Sequence, residues 1–411
     1  MRRREFLALS TGAALCPLGA RAWADADAKG PKRLVVILLR GAVDGLNTVI
    51  PYGEETYYAA RPTIAIGRPG TADGAALALD EHFALHPALA ALMPLWEAKQ
   101  LAFVHAAGSP DPSRSHFEAQ LFIENGTPGR RGTADGWMNR LLAALPGPHT
   151  PTAALAVGSI LPQILRGGMA VANLPLGPAA GDALAVDRPE VADAFDRLYR
   201  GNDPIGRAWR QGRAARAELL AGLPAAPNPV GDPAGNAAPP PNGFPMQAQR
   251  LAGLLAGNRN IRLVAASLGG WDTHVRQGHH SGQLAERLRP LGDGLAALAQ
   301  GLGHDWDDTV VVVLSEFGRT LRENGDGGTD HGHGNVVCLL GGAVNGGRVY
   351  GEWPSLVPAA LFEGRDLAVT TDFRSVLAAV LARHLRLSDR ALAQIFPGFA
   401  PPHTDIDRII A

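Results

Sequence analysis

The chain has 411 residues, 46% hydrophobic and 19% charged, with a formal charge of −1. That length supports a sizeable core, and no run of roughly 18 apolar residues follows the N-terminus, which excludes a helical membrane protein. A near-neutral chain without long basic or acidic blocks has no electrostatic footprint for nucleic acid or an anionic membrane surface, and two cysteines, Cys16 and Cys338, exclude a disulfide framework.

Arg2-Arg3-Arg4-Glu5-Phe6-Leu7 opens the sequence, an apolar stretch runs to Ala20, and Ala22-Trp23-Ala24 supplies a small-x-small cleavage pattern. Residues 1–24 read as a signal peptide of the twin-arginine type. That predicts passage through the twin-arginine export machinery and a periplasmic or extracellular mature protein, without an integral membrane segment.

Leu34–Leu39 is a continuous apolar run of strand length, and burial on both faces suits a parallel strand. Similar runs occupy Leu101–Ala106, Ile261–Ser267, Thr309–Leu314 and Val336–Leu340, the last placing Cys338 as a small buried hydrophobe. Helical spacing covers His86–Gln100, Pro189–Leu223 and Gly282–Leu302. This alternation predicts an α/β fold, a mainly parallel central sheet sandwiched by helices. Residues 31–396 form one such domain, interrupted by a Pro/Gly-rich surface loop at about 224–245 that cannot pack as a helix, and residues 397–411 form a C-terminal tail.

In open α/β sheets, ligands bind beyond the carboxyl ends of the strands. The segments at those positions hold Asp44 after the first run, Arg114-Ser115-His116 after the second, and Asp272-Thr273-His274 after the third. Ser315-Glu316-Phe317-Gly318-Arg319 follows the fourth, and Asp330-His331-Gly332-His333 precedes the fifth. In extended backbone the pairs Asp272/His274 and His331/His333 each project to one side and can grip one ion. Imidazole with carboxylate suits Zn, Mn or Fe rather than Ca or Mg, and Asp330 can orient a ligating imidazole. Plainer roles compete: Asp44 as a turn residue, Ser115-x-x-Glu118 as a capping box, and Glu316 with Arg319 as a structural ion pair.

These segments, together with Thr371-Asp372-Phe373-Arg374-Ser375-Val376, resemble the bacterial family called domain of unknown function 1501 from about Pro31 to Phe396. The resemblance implies a fold similar to the alkaline phosphatase and sulfatase superfamily. By it, Asp44 resembles a ligand of a second metal, Ser115 a nucleophile at a helix N-terminus, Asp272 and His274 a first-metal pair, and His331 or His333 the last histidine ligand. Glu316 falls where an Asp-His pair normally stands. Phe317 replaces that histidine, and His116 or the spare of His331 and His333 is left to fill the gap. No Cys-x-Pro-x-Arg or Ser-x-Pro-x-Arg stretch of the formylglycine sulfatases occurs. The functional expectation is an exported hydrolase of phosphate or sulfate esters that uses one or two divalent metal ions. Ser115 attacks a small-molecule or polymer anionic ester, and Arg114 holds the anion. The alternative is a non-catalytic, metal-stabilised binding or secretion-accessory protein of the same fold.

Overall fold

Every residue of Arg33–Leu39 (β1) is buried, and its side chains alternate between two separate apolar layers. Val35, Ile37 and Leu39 face one layer, and Leu34, Val36 and Leu38 the other, as the two-residue period of a strand requires. Each such side chain contributes about 1.5–3 kcal/mol on burial, so a strand covered on both faces is a strong organising element. The computed structural model describes residues 30–177, 184–223 and 238–411. The expected signal peptide and most of the Pro/Gly-rich loop lie outside them.

The other strands of the central sheet are Leu101–Gly108 (β2), Ala154–Val157 (β3), Ala172–Leu174 (β4), Leu263–Leu268 (β5), Thr309–Ser315 (β6), Asn335–Gly341 (β7), Arg348–Tyr350 (β8) and Thr371–Asp372 (β9). Their order is β8-β2-β7-β6-β1-β5-β3-β4, with β9 also paired to β2. The pairs β6–β1, β1–β5, β5–β3 and β3–β4 are parallel, whereas β7 is antiparallel to both neighbours. All five predicted strands are present within a residue or two. The sheet is mainly parallel as expected, and the antiparallel β7 is what brings the segment before it to the carboxyl edge of the others. Strands β3, β4, β8 and β9 have two to four residues each, too short for a periodic signal.

Helix Gln283–Leu302 and helix Phe244–Gly257 cover one face, where Leu251, Leu255, Leu288 and Leu295 meet Val35 and Ile37. Trp137–Ala144, Phe373–Arg383 and Asp389–Ile395 cover the other, with Trp137, Leu141, Val376 and Ile395 against Leu34 and Val36. The predicted helix over Pro189–Leu223 is two, Pro189–Leu198 and Pro204–Ala221, because Pro204 cannot continue a helix and instead starts one under the Asp203 cap. His86–Gln100 divides likewise into a 3-10 segment, Pro87–Leu92, and a short α-helix, Met93–Glu97.

Two expected boundaries shift. The second half of the expected loop is structured: Pro241–Gly243 forms a 3-10 turn and Phe244 begins a packed helix with proline in its first turn. The expected tail also belongs to the core, since Ile406, Ile409 and Ile410 are buried and Ile410 bridges to Val344.

Candidate metal centre

Because β7 runs opposite to its neighbours, the segment before it reaches the same edge as the segments that follow β1, β2, β5 and β6. Each of these loops is fixed by a buried anchor. Trp271 fills the core and donates its indole N–H to the Leu268 carbonyl at 3.0 Å, which holds Asp272 at the edge. Gly41 has φ +118°, and a Cβ there would lie 2.8 Å from the Asp272 nitrogen, so only glycine lets the loops after β1 and β5 approach. Asn335 donates to the carbonyls of Val43 (3.1 Å) and Phe317 (2.6 Å), tying three loops together.

His116, Asp272 and His331 form the centre, with ligand atoms all within 4.8 Å of one another. His331 Nε2 lies 3.0 Å from His116 Nε2 and 3.2 Å from Asp272 Oδ1. His274 joins them, its Nε2 being 3.0 Å from His331 Nε2 and 3.0 Å from Asp272 Oδ1. The opposite nitrogen of each ring has its own partner: Glu316 Oε1 at 2.8 Å for His116, Asp330 Oδ1 at 3.1 Å for His274, and the Arg114 carbonyl at 3.0 Å for His331.

Those partners decide the tautomers. A carbonyl only accepts, so His331 Nδ1 carries a proton, and the two carboxylates likewise accept from Nδ1–H of His116 and His274. In the neutral rings the His331 Nε2 lone pair then faces those of His116 and of His274, 3.0 Å from each, and all three atoms lie beside the Asp272 carboxylate. Lone pairs at 3.0 Å repel unless protons or a cation lie between them. Imidazoles backed by carboxylate or carbonyl acceptors and aimed at one point are the donor set of a transition-metal site, and the residues present fit such an ion.

The electrostatics agree. Burial opposes ionisation of Asp272, yet the neighbouring His116 and His331 rings and the Arg319 guanidinium outweigh it and hold the carboxyl far below its ordinary range. Glu316 is almost fully buried, but bonds from His116, Gln120 and the Gly41 N–H keep it ionised. The Asn324 amide and His274 lower Asp330. His116, between Asp272 and Glu316, is raised to about 9.

The remaining predicted residues lie elsewhere. Asp44 is buried and bound to Arg61 at 2.6 and 3.1 Å and to the Gln277 amide at 2.7 Å, so its carboxylate is spent on a guanidinium. Glu316 and Asp330 orient imidazoles instead of converging with the donors. His333 is buried with its ring 4.3 Å from that of Phe362. Only an isolated bridge at His331 precedes β7, so strand alternation does not place both histidines on one side. The Arg114 guanidinium pairs with Asp366 at 2.7 Å and Glu363 at 2.6 Å, which neutralises the expected anion holder. Ser115 precedes helix His116–Asn125 and is exposed, but its hydroxyl caps nothing; Glu118 accepts from Ser113 instead of completing a capping box. Arg319 pairs with Asp272 rather than Glu316, and it binds the carbonyls of Gly41 and Ala42 at 2.6 Å each. The sequence carries no signal for Arg61, Gln120 or Gln277: Arg61 lies 17 residues from Asp44 with no periodic relation to it, and Gln120 and Gln277 meet Glu316 and Asp44 from 196 and 233 residues away.

Residues 31–396 match the family described as "Protein of unknown function (DUF1501)". The chain belongs to that family. No curated protein matches the sequence. Among solved structures, the chain is similar to Ps i-CgsB in complex with k-i-k-neocarrahexaose, with 11% identity, 87% of this chain and 72% of that chain covered, and a TM-score of 0.39. It is similar to the C-terminal periplasmic domain of EcEptC from Escherichia coli in complex with Zn (12%, 77% and 74%, 0.36). A third likeness is to the PsFucS1 sulfatase from Pseudoalteromonas sp. (12%, 88% and 68%, 0.36). At these values the likenesses concern the chain trace, and the chemistry rests on this family member's own side chains.

Proposed function

We propose that this DUF1501 protein is a metal-dependent hydrolase of phosphate or sulfate esters. The observation that carries the reading is the convergence of three imidazole Nε2 atoms and one carboxylate, each imidazole held by a separate acceptor. His116, His274, His331 and Asp272 would hold a single divalent ion, Zn, Mn or Fe, because the other candidate carboxylates are already bound to Arg61 or to the imidazoles. Such an ion, when bound, acts as a Lewis acid on an ester oxygen and stabilises charge developing there.

The chain's own groups supply the rest. Ser115 adjoins His116 in sequence, its exposed hydroxyl has no hydrogen-bond partner among the described residues, and it serves as the nucleophile toward the ester. Helix His116–Asn125 begins beside it, and the positive end of the helix dipole favours the anion. Arg114 acts through its backbone, since its carbonyl fixes the His331 ring. The chain is exported by the twin-arginine route and works outside the cytoplasm; Arg3→Lys with Arg4→Lys abolishes export if this is so.

One observation favours a second reading. His274 brings the set to four protein donors, and fully protein-ligated sites are characteristic of structural metals, which fits a metal-stabilised binding or secretion-accessory protein. Zinc-loaded wild type and Ser115→Ala, assayed against aryl phosphates and aryl sulfates, separate the two. Turnover lost in the variant with metal content unchanged supports the hydrolase. Equal turnover in both removes Ser115 from the chemistry, and none in either favours the binding protein.

A further inference from the structure

Eight large hydrophobic side chains are exposed among the described residues, and two directly follow histidines of the metal centre. Phe117, 89% exposed, follows His116, and Val275, 45% exposed, follows His274. Each is one residue, about 3.8 Å of backbone, from a side chain whose Nε2 reaches His331 Nε2 at 3.0 Å. The two histidines come from different loops, one after β2 and one after β5, so Phe117 and Val275 belong to two segments that meet at one centre.

Packing does not explain Phe117. The helix His116–Asn125 buries Ala119, Phe122 and Ile123 against the body, and His116 stacks on Phe317 at 4.9 Å. Among the described residues the Phe117 ring has no aromatic neighbour, and at 89% exposure it packs against almost nothing. A phenyl ring that packs removes about 150–250 Å² from water, so one left in water beside a ligand has that area free for something that arrives with the substrate. Single exposed apolar residues are ordinary; two that each adjoin a converging histidine are a rim.

We infer that Phe117, with Val275, selects esters whose alcohol carries a ring with an apolar face, an aryl group or the C–H face of a sugar, over small alkyl esters. The inference rests on the hydrolase reading, because it assumes that the anionic end of the substrate lies at the centre. The ring then stacks on Phe117 while Val275 covers the exposed edge of the site. Neither residue touches the reacting atoms; both act on substrate affinity.

Phenylphosphonate and methylphosphonate carry the same anion and differ only in the ring, and neither is hydrolysed. Calorimetric titration of both into zinc-loaded wild type, Phe117→Ala and Val275→Ala reads binding without turnover. Wild type is expected to bind phenylphosphonate about fivefold tighter than methylphosphonate, the size of one aromatic contact. Phe117→Ala brings the ratio near one and leaves methylphosphonate affinity unchanged, which also shows that the centre is intact; Val275→Ala gives a smaller loss. A ratio near one in wild type, or a ratio retained in Phe117→Ala, overturns the rim while leaving anion binding at the centre in place. Failure of both phosphonates to bind zinc-loaded wild type overturns the hydrolase reading and the rim with it.

Discussion

Glu316→Gln tests the centre with little change in shape. Glu316 Oε1 accepts from His116 Nδ1, the Gly41 N–H and the Gln120 amide, each at 2.8 Å, and Oε2 accepts from the Ser315 hydroxyl at 2.8 Å. A glutamine can keep its oxygen toward the three donors and turn its NH2 toward Ser315, whose own proton can go to the Leu39 carbonyl. The hydrogen bonds survive and the charge behind His116 is lost. Removing such an orienting partner weakens metal binding about 10–100-fold, or about 1.4–2.7 kcal/mol. Competition with a chromophoric chelator measures it, alongside a thermal melt of the metal-free protein to show that the fold is kept. Zinc affinity equal to wild type in Glu316→Gln refutes the role of His116 Nε2 as a ligand. The same titration carries a proton count. With His116 raised to about 9, the metal-free site holds a proton at pH 7 that binding must expel, so affinity rises with pH until about 9. Calorimetry in buffers of different ionisation enthalpy reads that proton directly.

Two further outcomes follow from buried groups. Asp44→Asn strands the Arg61 guanidinium in a site where both side chains are fully buried, at a cost of about 3–5 kcal/mol; the metal content should stay at one ion per chain, whereas Asp272→Asn should empty the centre, and elemental analysis with urea melts distinguishes the two. His105 donates through Nε2 to the Val49 carbonyl at 2.8 Å and accepts the Ala106 N–H at Nδ1, an arrangement open only to the neutral ring. Burial lowers it to about 4, so its contribution is complete above pH 6.5 and is lost as pH falls from 6.5 toward 4, up to about 3 kcal/mol. His105→Gln should flatten that acid limb in urea melts taken across pH; an unchanged slope removes His105 as its source.

Much of this protein is written locally. Runs such as Thr309–Ser315 and Arg33–Leu39 state their strand identity in consecutive residues, because a strand covered by helices on both faces buries every successive side chain. The chemistry-bearing segments were legible for the same reason: each lies immediately beside such a run, at the edge where ligands bind. The direction of β7 was not legible, since hydrophobicity is blind to polarity of the chain. Nor was the division of labour among the acidic residues. Asp44, Asp272, Glu316 and Asp330 look alike in sequence, and what separates them is which cation or imidazole the fold brings within 3.2 Å: Arg61 for Asp44, His116 for Glu316, His274 for Asp330, and a converging set of rings for Asp272. The sequence alone thus determined the five long strands of the sheet, its edge and the residue types gathered there. Only the tertiary structure decided which of them face one another, because hydrogen bonding and charge pairing act over a few ångströms in space between positions as far apart as His116 and His331.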